Sequence, residues 1–227
     1  LQAKGVLTLD QKPARSLATV RELLAHRSGL PAWWDLPKGL DAQFPGWRVG
    51  TPETRLFVRK AIEQATKGGA HPACYSDLGY MLLGWHLEDL TGSRLDELME
   101  GYGVLPGAQP HLMPAGYCTF RDRELRGEVN DLNTHILGGV AGHAGLFGSA
   151  AWVGQWALDL LGGYHGQPSS FSTDLVRSYW SSAHFDDADT WVLGFDTPTP
   201  GKSSAGTRIG SGGVGHLGFT GTSVWID

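Results

Sequence analysis

Much that would classify this chain at once is scarce or missing. Of its 227 residues only two are cysteine, Cys74 and Cys118, too few for a disulfide framework and too few to settle the redox compartment. They can pair or stand as two free thiols. No basic run occurs and the net charge is −5, which argues against a nucleic-acid partner. The longest charge-free stretch, Leu132 to Leu158, holds Asn133, two histidines and six glycines, too polar for a membrane span. The nine histidines show neither His-x-His nor His-Glu-x-x-His spacing, and no metal-type spacing joins the cysteines. The sequence therefore points to no metal site and no cofactor. No serine is followed three residues later by lysine. There is no internal repeat and no low-complexity tail.

What is present fits a globular protein with a core. The chain is 41% hydrophobic and 18% charged, within the range of folded domains. It carries nine tryptophans and 33 glycines, which favour aromatic packing, tight turns and close backbone approaches. It opens on Leu1 inside an apolar segment and closes on Asp227 inside a strand-like one. Neither reads as a natural terminus, and a fragment of a longer protein is expected.

Apolar spacing at Leu17, Val20, Leu23 and Leu24 predicts a helix over Ser16–His26, stopped by Gly29. Pro31 to Pro52, rich in Pro, Gly and Trp, reads as a long ordered loop. Thr51-Pro52-Glu53 is a helix start, with the helix running to about Thr66. Ser76 or Asp77 caps the next helix, which ends at Thr91 before Gly92. Ser93 to Asp96 resembles a capping box for a helix ending near Gly101. Pro106 to Gly148 reads as mostly irregular. Ser149 caps an amphipathic helix bearing Trp152, Val153, Trp156, Leu160 and Leu161, and a short helix follows around Ser172 to Trp180. Trp191–Asp196 and Thr222–Asp227 are strand-like. Helices first and strands last predict an α+β fold, with a mainly helical lobe over about 15–185 and strands over about 190–227, in one incomplete domain.

Two elements carry the chemistry. The first is Ala73-Cys74-Tyr75-Ser76-Asp77-Leu78-Gly79-Tyr80; the second is Gly215-His216-Leu217-Gly218-Phe219-Thr220-Gly221-Thr222. Together with Gly5-Val6-Leu7-Thr8-Leu9-Asp10, Thr19–Pro31 and Leu137–Phe147, in that family's order along nearly the whole chain, they resemble the penicillin-recognising serine hydrolases. This is the β-lactamase and D,D-peptidase superfamily, here its class-C-like, penicillin-binding-protein-4B-like branch. The resemblance implies a β-lactamase/transpeptidase-like fold truncated at both ends, with the Ser-x-x-Lys nucleophile helix outside these residues. It also implies a small-molecule or peptidoglycan-peptide substrate and the cell envelope of a bacterium. Oligomeric state stays open.

By that resemblance Tyr75 is the proton-transfer tyrosine of a Tyr-x-Asn element. A free phenol titrates near 10 and is a poor base unless cations stabilise its phenolate; in isolation Tyr75 would be a packing residue. Asp77 stands where the family commonly has asparagine. A carboxylate accepts hydrogen bonds but cannot donate to a substrate carbonyl, so Asp77 positions a cation or caps the helix, or both. His216-Leu217-Gly218 aligns with Lys-Thr-Gly: His216 faces the cleft, Leu217 lacks the threonine hydroxyl, and Gly218 lets the backbone approach. The resemblance implies that the N–H just after this glycine, that of Phe219, is half of the oxyanion hole. A rival register places Phe219-Thr220-Gly221 on that triad but supplies no polar first residue. His143 reads by default as a structural hydrogen-bonding residue. Gly210-x-Gly212-x-x-Gly215 matches a dinucleotide fingerprint literally, but a strand-like segment follows it where a helix is required. A turn into a strand is expected.

These readings predict a serine hydrolase forming an acyl-enzyme on an amide, ester or lactam carbonyl, tilted by Asp77 and Leu217 away from efficient β-lactamase activity. The alternative is a non-catalytic cell-wall-binding or regulatory homologue without a nucleophile. The 227 residues alone are expected to be inactive and, with unpaired sheet edges, poorly soluble.

Overall fold

The computed structural model describes residues 2, 5, 7–69, 71–100, 113–181, 185 and 189–227. They form two compact units. One spans Leu9–Phe147; the other combines Leu1–Thr8 with Gly148–Asp227. Helices and antiparallel strands together make the chain α+β, as expected.

The first unit contains α1 (Val20–Leu24), α2 (Leu36–Gln43), α3 (Pro52–Ala65), α4 (Asp77–Thr91), α5 (Leu95–Glu100), strands β1 (Pro114–Cys118) and β2 (Arg123–Arg126), and α6 (Leu132–Ile136). Its core gathers Leu23, Leu40, Val58, Ile62, Leu78, Met81, Ile136 and Leu137, drawn from five of these helices and the residue after α6. Burying each such side chain contributes about 1.5–3 kcal/mol, and this places α4 at the centre. α3 and α4 start and stop as their caps dictate. Thr51 accepts from Thr54 N–H with Pro52 in the first turn, and Ser76, not Asp77, caps α4, which stops at left-handed Gly92.

Four expectations change here. The helix over Ser16–His26 shrinks to α1, because Thr19 and Glu22 close a capping box and the N–H groups of Val20 and Arg21 are taken by the carbonyls of Gln11 and Leu9. The Pro31–Pro52 loop contains α2, whose start, Asp35-Leu36-Pro37, has the same acceptor-plus-proline signature as α3. The reciprocal bond at the start of α5 joins the Arg94 N–H to Glu97, one residue later than expected; its predicted end at Gly101 lies outside the described residues. Beyond 106–112, which also lie outside them, the supposedly irregular segment folds into the β1–β2 antiparallel hairpin and α6.

The second unit holds α7 (Ala150–His165), capped by Ser149 as predicted, and α8 (Thr173–Tyr179), within the expected range and capped by Ser172. They pack with a four-stranded antiparallel sheet in the order β3 (Trp191–Val192), β4 (Phe195–Asp196), β5 (Val214–Leu217) and β6 (Ser223–Ile226). Its core is Leu160, Val176, Val192, Val214 and Ile226, rimmed by Trp156, Trp180 and Phe195. The segment expected as one strand, Trp191–Asp196, is a hairpin: Trp191 pairs Asp196, and Val192 pairs Phe195, around Leu193-Gly194. Gly194 has φ 85°, which a continuous strand does not allow. The Gly210–Gly215 fingerprint is a turn, the Gly213 N–H donating to Gly210 O at 3.1 Å. It feeds β5, an inner strand, so the dinucleotide geometry is absent.

Candidate active site

In the first unit the site is built around the start of α4. Tyr75 precedes the cap and is 42% exposed; Ser76 caps; Asp77 opens the helix. The strip running into the cap is tied to the His26–Ala32 segment. The N–H groups of Cys74 and Asp77 donate to the carbonyls of His26 (2.9 Å) and Ala32 (3.0 Å). The Ser76 N–H donates to His26 Nδ1 at 3.0 Å, and the Ser76 hydroxyl donates to Pro31 O at 2.7 Å. His26 also packs its ring against Tyr75, with centroids 4.7 Å apart. This wiring is why the Thr19–Pro31 and Tyr75 segments belong together.

The Tyr75 phenol is pushed well above its ordinary value. Burial is the largest cause, followed by the charge of Asp77, the hydrogen bond to Asp77, and the charge of Asp131. A neutral phenol donating to a carboxylate is thus the resting state of this pair.

Asp131 and His143 complete the cluster. Asp131 caps α6, its Oδ1 accepting from Thr134 N–H at 2.6 Å. His143 Nε2 lies 2.9 Å from the same oxygen and 3.0 Å from Thr134 Oγ1. A carboxylate only accepts, so Nε2 carries the proton. Nδ1 is buried with no hydrogen-bond partner among the described residues. Burial pushes the Asp131 carboxyl up, but the His143 bond and charge and the Thr134 donors outweigh it and hold the group below its usual range. His143 reaches this position because Gly142 lies directly on α4: a Cβ there would sit 1.9 Å from Tyr80 O.

Asp77, Asp131 and His143 each offer a donor atom, all within 4.8 Å of one another. Local spacing could not reveal such a group, since its members come from three separate segments. In geometry it can hold a cation. Two of its three donors are already hydrogen-bonded to each other, so a metal would have to displace that bond. The same two carboxylates favour any positive charge brought beside Tyr75, an ammonium included.

In the second unit His216 lies on β5 opposite Val224. Its Nδ1–H donates to the Leu217 carbonyl at 2.8 Å, and its ring centroid is 5.8 Å from that of Trp191. The Gly218 N–H closes the β5–β6 turn onto Thr222 O at 2.7 Å. A Cβ at Gly218 would meet Thr222 Oγ1, so a side chain there would have to turn the Thr222 hydroxyl aside. Phe219 is 98% exposed at the tip, and among the described residues nothing accepts its N–H.

Tyr75 and Asp77 are thus brought together with Asp131 and His143, while His216, Gly218 and Phe219 share one hairpin. Asp131 and Thr134 were missed in the sequence, although an aspartate three residues before a threonine N–H at a helix start is a readable cap signal. Cys74 and Cys118 are both free; Cys74 is exposed and Cys118 half-buried. Among the described residues no helix is long and apolar enough to cross a membrane.

Comparison with known proteins finds relatives along nearly the whole chain. A provisionally named D-alanyl-D-alanine carboxypeptidase of Escherichia coli K12 is 28% identical over 257 residues, covering 96% of this chain and 56% of the relative. The N-acetylmuramyl-L-alanine amidase of Bacillus subtilis 168 is 29% identical over 240 residues, covering 92% and 53%. The chain thus spans about half the length of these curated relatives. Among solved structures, a beta-lactamase from Mycobacterium bovis superposes with a TM-score of 0.58 at 19% identity, covering 100% of this chain and 68% of that one; the likeness is one of fold. The profile of the Beta-lactamase family matches residues 1–227, and the chain belongs to that family, within the serine β-lactamase and penicillin-binding-protein superfamily.

Proposed function

We propose that the protein carrying this chain is a serine hydrolase working through an acyl-enzyme, with carboxypeptidase action on D-alanyl-D-alanine ends of peptidoglycan peptides as the leading case. The observation that carries the reading is Tyr75 at the mouth of α4, hydrogen-bonded to Asp77 and beside Asp131, in a chain of this family. The names of the two curated relatives, a carboxypeptidase and an amidase of muramyl peptide, support a cell-wall substrate and a place in the bacterial envelope.

In this reading a serine outside residues 1–227 attacks the carbonyl and its proton passes to Tyr75. The amine leaves with that proton, and water then releases the acyl group. A phenol raised as Tyr75 is cannot accept a proton without a neighbouring cation. The lysine of a Ser-x-x-Lys element supplies it, and Asp77 and Asp131 hold that ammonium. His216 contributes charge or a hydrogen bond to the substrate, and the N–H after Gly218, that of Phe219, donates to the oxyanion. Residues 1–227 alone are inactive for want of the nucleophile. The second reading, motivated by the lack of a Ser-x-x-Lys element in these residues, is a homologue that binds cell wall without hydrolysing it.

The test is acylation of the full-length protein by a fluorescent penicillin and by an activated ester, followed by intact mass, alongside D-alanine release from a D-alanyl-D-alanine peptide. Serine-dependent acylation that Tyr75→Phe slows by about 100-fold or more, on the scale of general acid–base catalysis, supports the hydrolase. Cell-wall binding without acylation by any of these reagents supports the second reading.

A further inference from the structure

His26 lies outside every role assigned so far, yet it holds Tyr75 from three directions. Its carbonyl accepts the Cys74 N–H at 2.9 Å, its Nδ1 accepts the Ser76 N–H at 3.0 Å, and its ring stands 4.7 Å from the tyrosine ring, tilted by 41°. The two backbone amides flanking Tyr75 are thus taken by one residue, once through its main chain and once through its side chain. A second ring contact, 5.0 Å to Tyr80, fixes the imidazole against α4, and the Tyr80 hydroxyl returns to the segment at Leu24 O, 3.0 Å away. His26 is 3% exposed and sits at φ 57°. A non-glycine residue in that region is uncommon and costs backbone energy, while asparagine, aspartate and histidine tolerate it best. Packing alone requires neither that backbone nor an acceptor aimed at a single amide.

We propose that His26 is the positioning residue for Tyr75. It sets the orientation of the 74–76 backbone and of the phenol, so that the hydroxyl meets the reacting proton at the right distance. The inference rests on the catalytic reading of Tyr75 above. Because Nδ1 faces an N–H donor, it must present its lone pair, and the ring works as a neutral acceptor. A misplacement of about 1 Å in such a group costs on the order of 100-fold in rate while leaving substrate binding largely in place.

The experiment uses the full-length protein and separates acceptor geometry from bulk. Asparagine carries its Oδ1 on the same atom that bears Nδ1 in histidine and tolerates positive φ; glutamine sets its acceptor one bond further out. His26→Asn is expected to keep kcat within about threefold, and His26→Gln to lose about 100-fold with KM within about threefold. Both are compared with Tyr75→Phe, and 3-fluorotyrosine at position 75 is followed by 19F NMR. The resonance is expected to shift or broaden in His26→Gln. If His26→Gln keeps wild-type kcat while Tyr75→Phe is inactive, the positioning role is overturned and the catalytic reading stands. If the Asn and Gln variants lose activity equally, in step with melting temperature and with the 19F signal unmoved, His26 is only structural and the proposal fails. If Tyr75→Phe is fully active, the catalytic reading falls and takes this inference with it.

Discussion

Ser76→Ala is the perturbation with the clearest expected cost. Ser76 is 1% exposed and its hydroxyl does two things: it accepts from Gly79 N–H at 3.3 Å, capping α4, and donates to Pro31 O at 2.7 Å. Removing a serine cap costs about 1 kcal/mol. Losing the bond to the Pro31 carbonyl, which belongs to an exposed residue, costs about 0.5–1.5 kcal/mol more. The sum is about 1.5–2.5 kcal/mol, which lowers the melting temperature by roughly 5–8 °C for a unit of this size. Glycine separates the two terms, because it caps nearly as well as serine but cannot donate to Pro31; Ser76→Gly should lose only about 0.5–1.5 kcal/mol. Urea unfolding followed by tryptophan fluorescence gives both values. A loss below about 0.5 kcal/mol for Ser76→Ala, or Ser76→Gly costing more than Ser76→Ala, would refute the reasoning.

Arg55 bonds both oxygens of Glu88 at 2.8 and 2.7 Å and the Leu137 carbonyl at 2.8 Å. Arg55→Met takes the donor from Glu88 Oε2 and the Leu137 carbonyl, while Oε1 keeps the Leu95 N–H at 3.0 Å, and should cost about 3 kcal/mol in urea unfolding; a loss under about 1 kcal/mol counts against it. Gly142→Ala must push the loop off Tyr80 O, a backbone atom that cannot swing aside. The expected loss is about 2 kcal/mol or more, with the His143–Asp131 bond broken and the His143 ring resonances moved; an unchanged melting curve would sink it. Burial lowers His86, with Asp89 opposing and Arg59 adding to the fall, and burial and Arg121 lower His135. Their neutral forms are favoured in the fold, so this stability is whole above the unfolded value of about 6.5 and is lost as pH falls through the folded values. Urea midpoints should hold above about pH 7 and drop below about 6.5. His86→Gln should flatten that drop, and an unchanged slope would rule His86 out as its source.

Helices announced by caps were legible down to the residue. Thr51 and Ser149 each place a side-chain oxygen at the start of a helix, and each caps the predicted helix. Composition misled where it outweighed such local signals. Pro37 lowered the helical reading of Pro31–Pro52, although a proline in the first turn, after Asp35, marks a start. Trp191–Asp196 looked like one strand because its side chains suit a sheet, and the glycine that folds it was passed over. The candidate Tyr75 and His216 elements stand out as motifs because their residues are contiguous. The Asp131–His143 pair does not: its members are 12 residues apart and meet only because Gly142 lets a loop settle on α4. No one-dimensional spacing encodes a close approach between backbones.

The same pair bears on the meaning of Asp77. Tyr75 is raised by burial first and then by the charge and hydrogen bond of Asp77, with Asp131 adding its charge. Asp77→Asn removes the nearest negative charge and leaves burial and Asp131 in place. The phenol should therefore fall toward, without reaching, its ordinary value near 10. The ultraviolet difference titration of the Asp77→Asn variant against the same variant carrying Tyr75→Phe reads this directly. An amide also donates, and one net hydrogen bond of ~1 kcal/mol gained at the substrate carbonyl would speed acylation by penicillin about fivefold; against this, an amide cannot hold the ammonium that the proposed mechanism assigns to Asp77. The two readouts need not agree, and their disagreement is informative. A lower phenol with slower acylation would mean that Asp77 works by holding a cation beside Tyr75, which an amide cannot do. A phenol that does not fall at all would mean that the carboxylate charge has no hold on Tyr75, and the cation argument built on it would have to be abandoned.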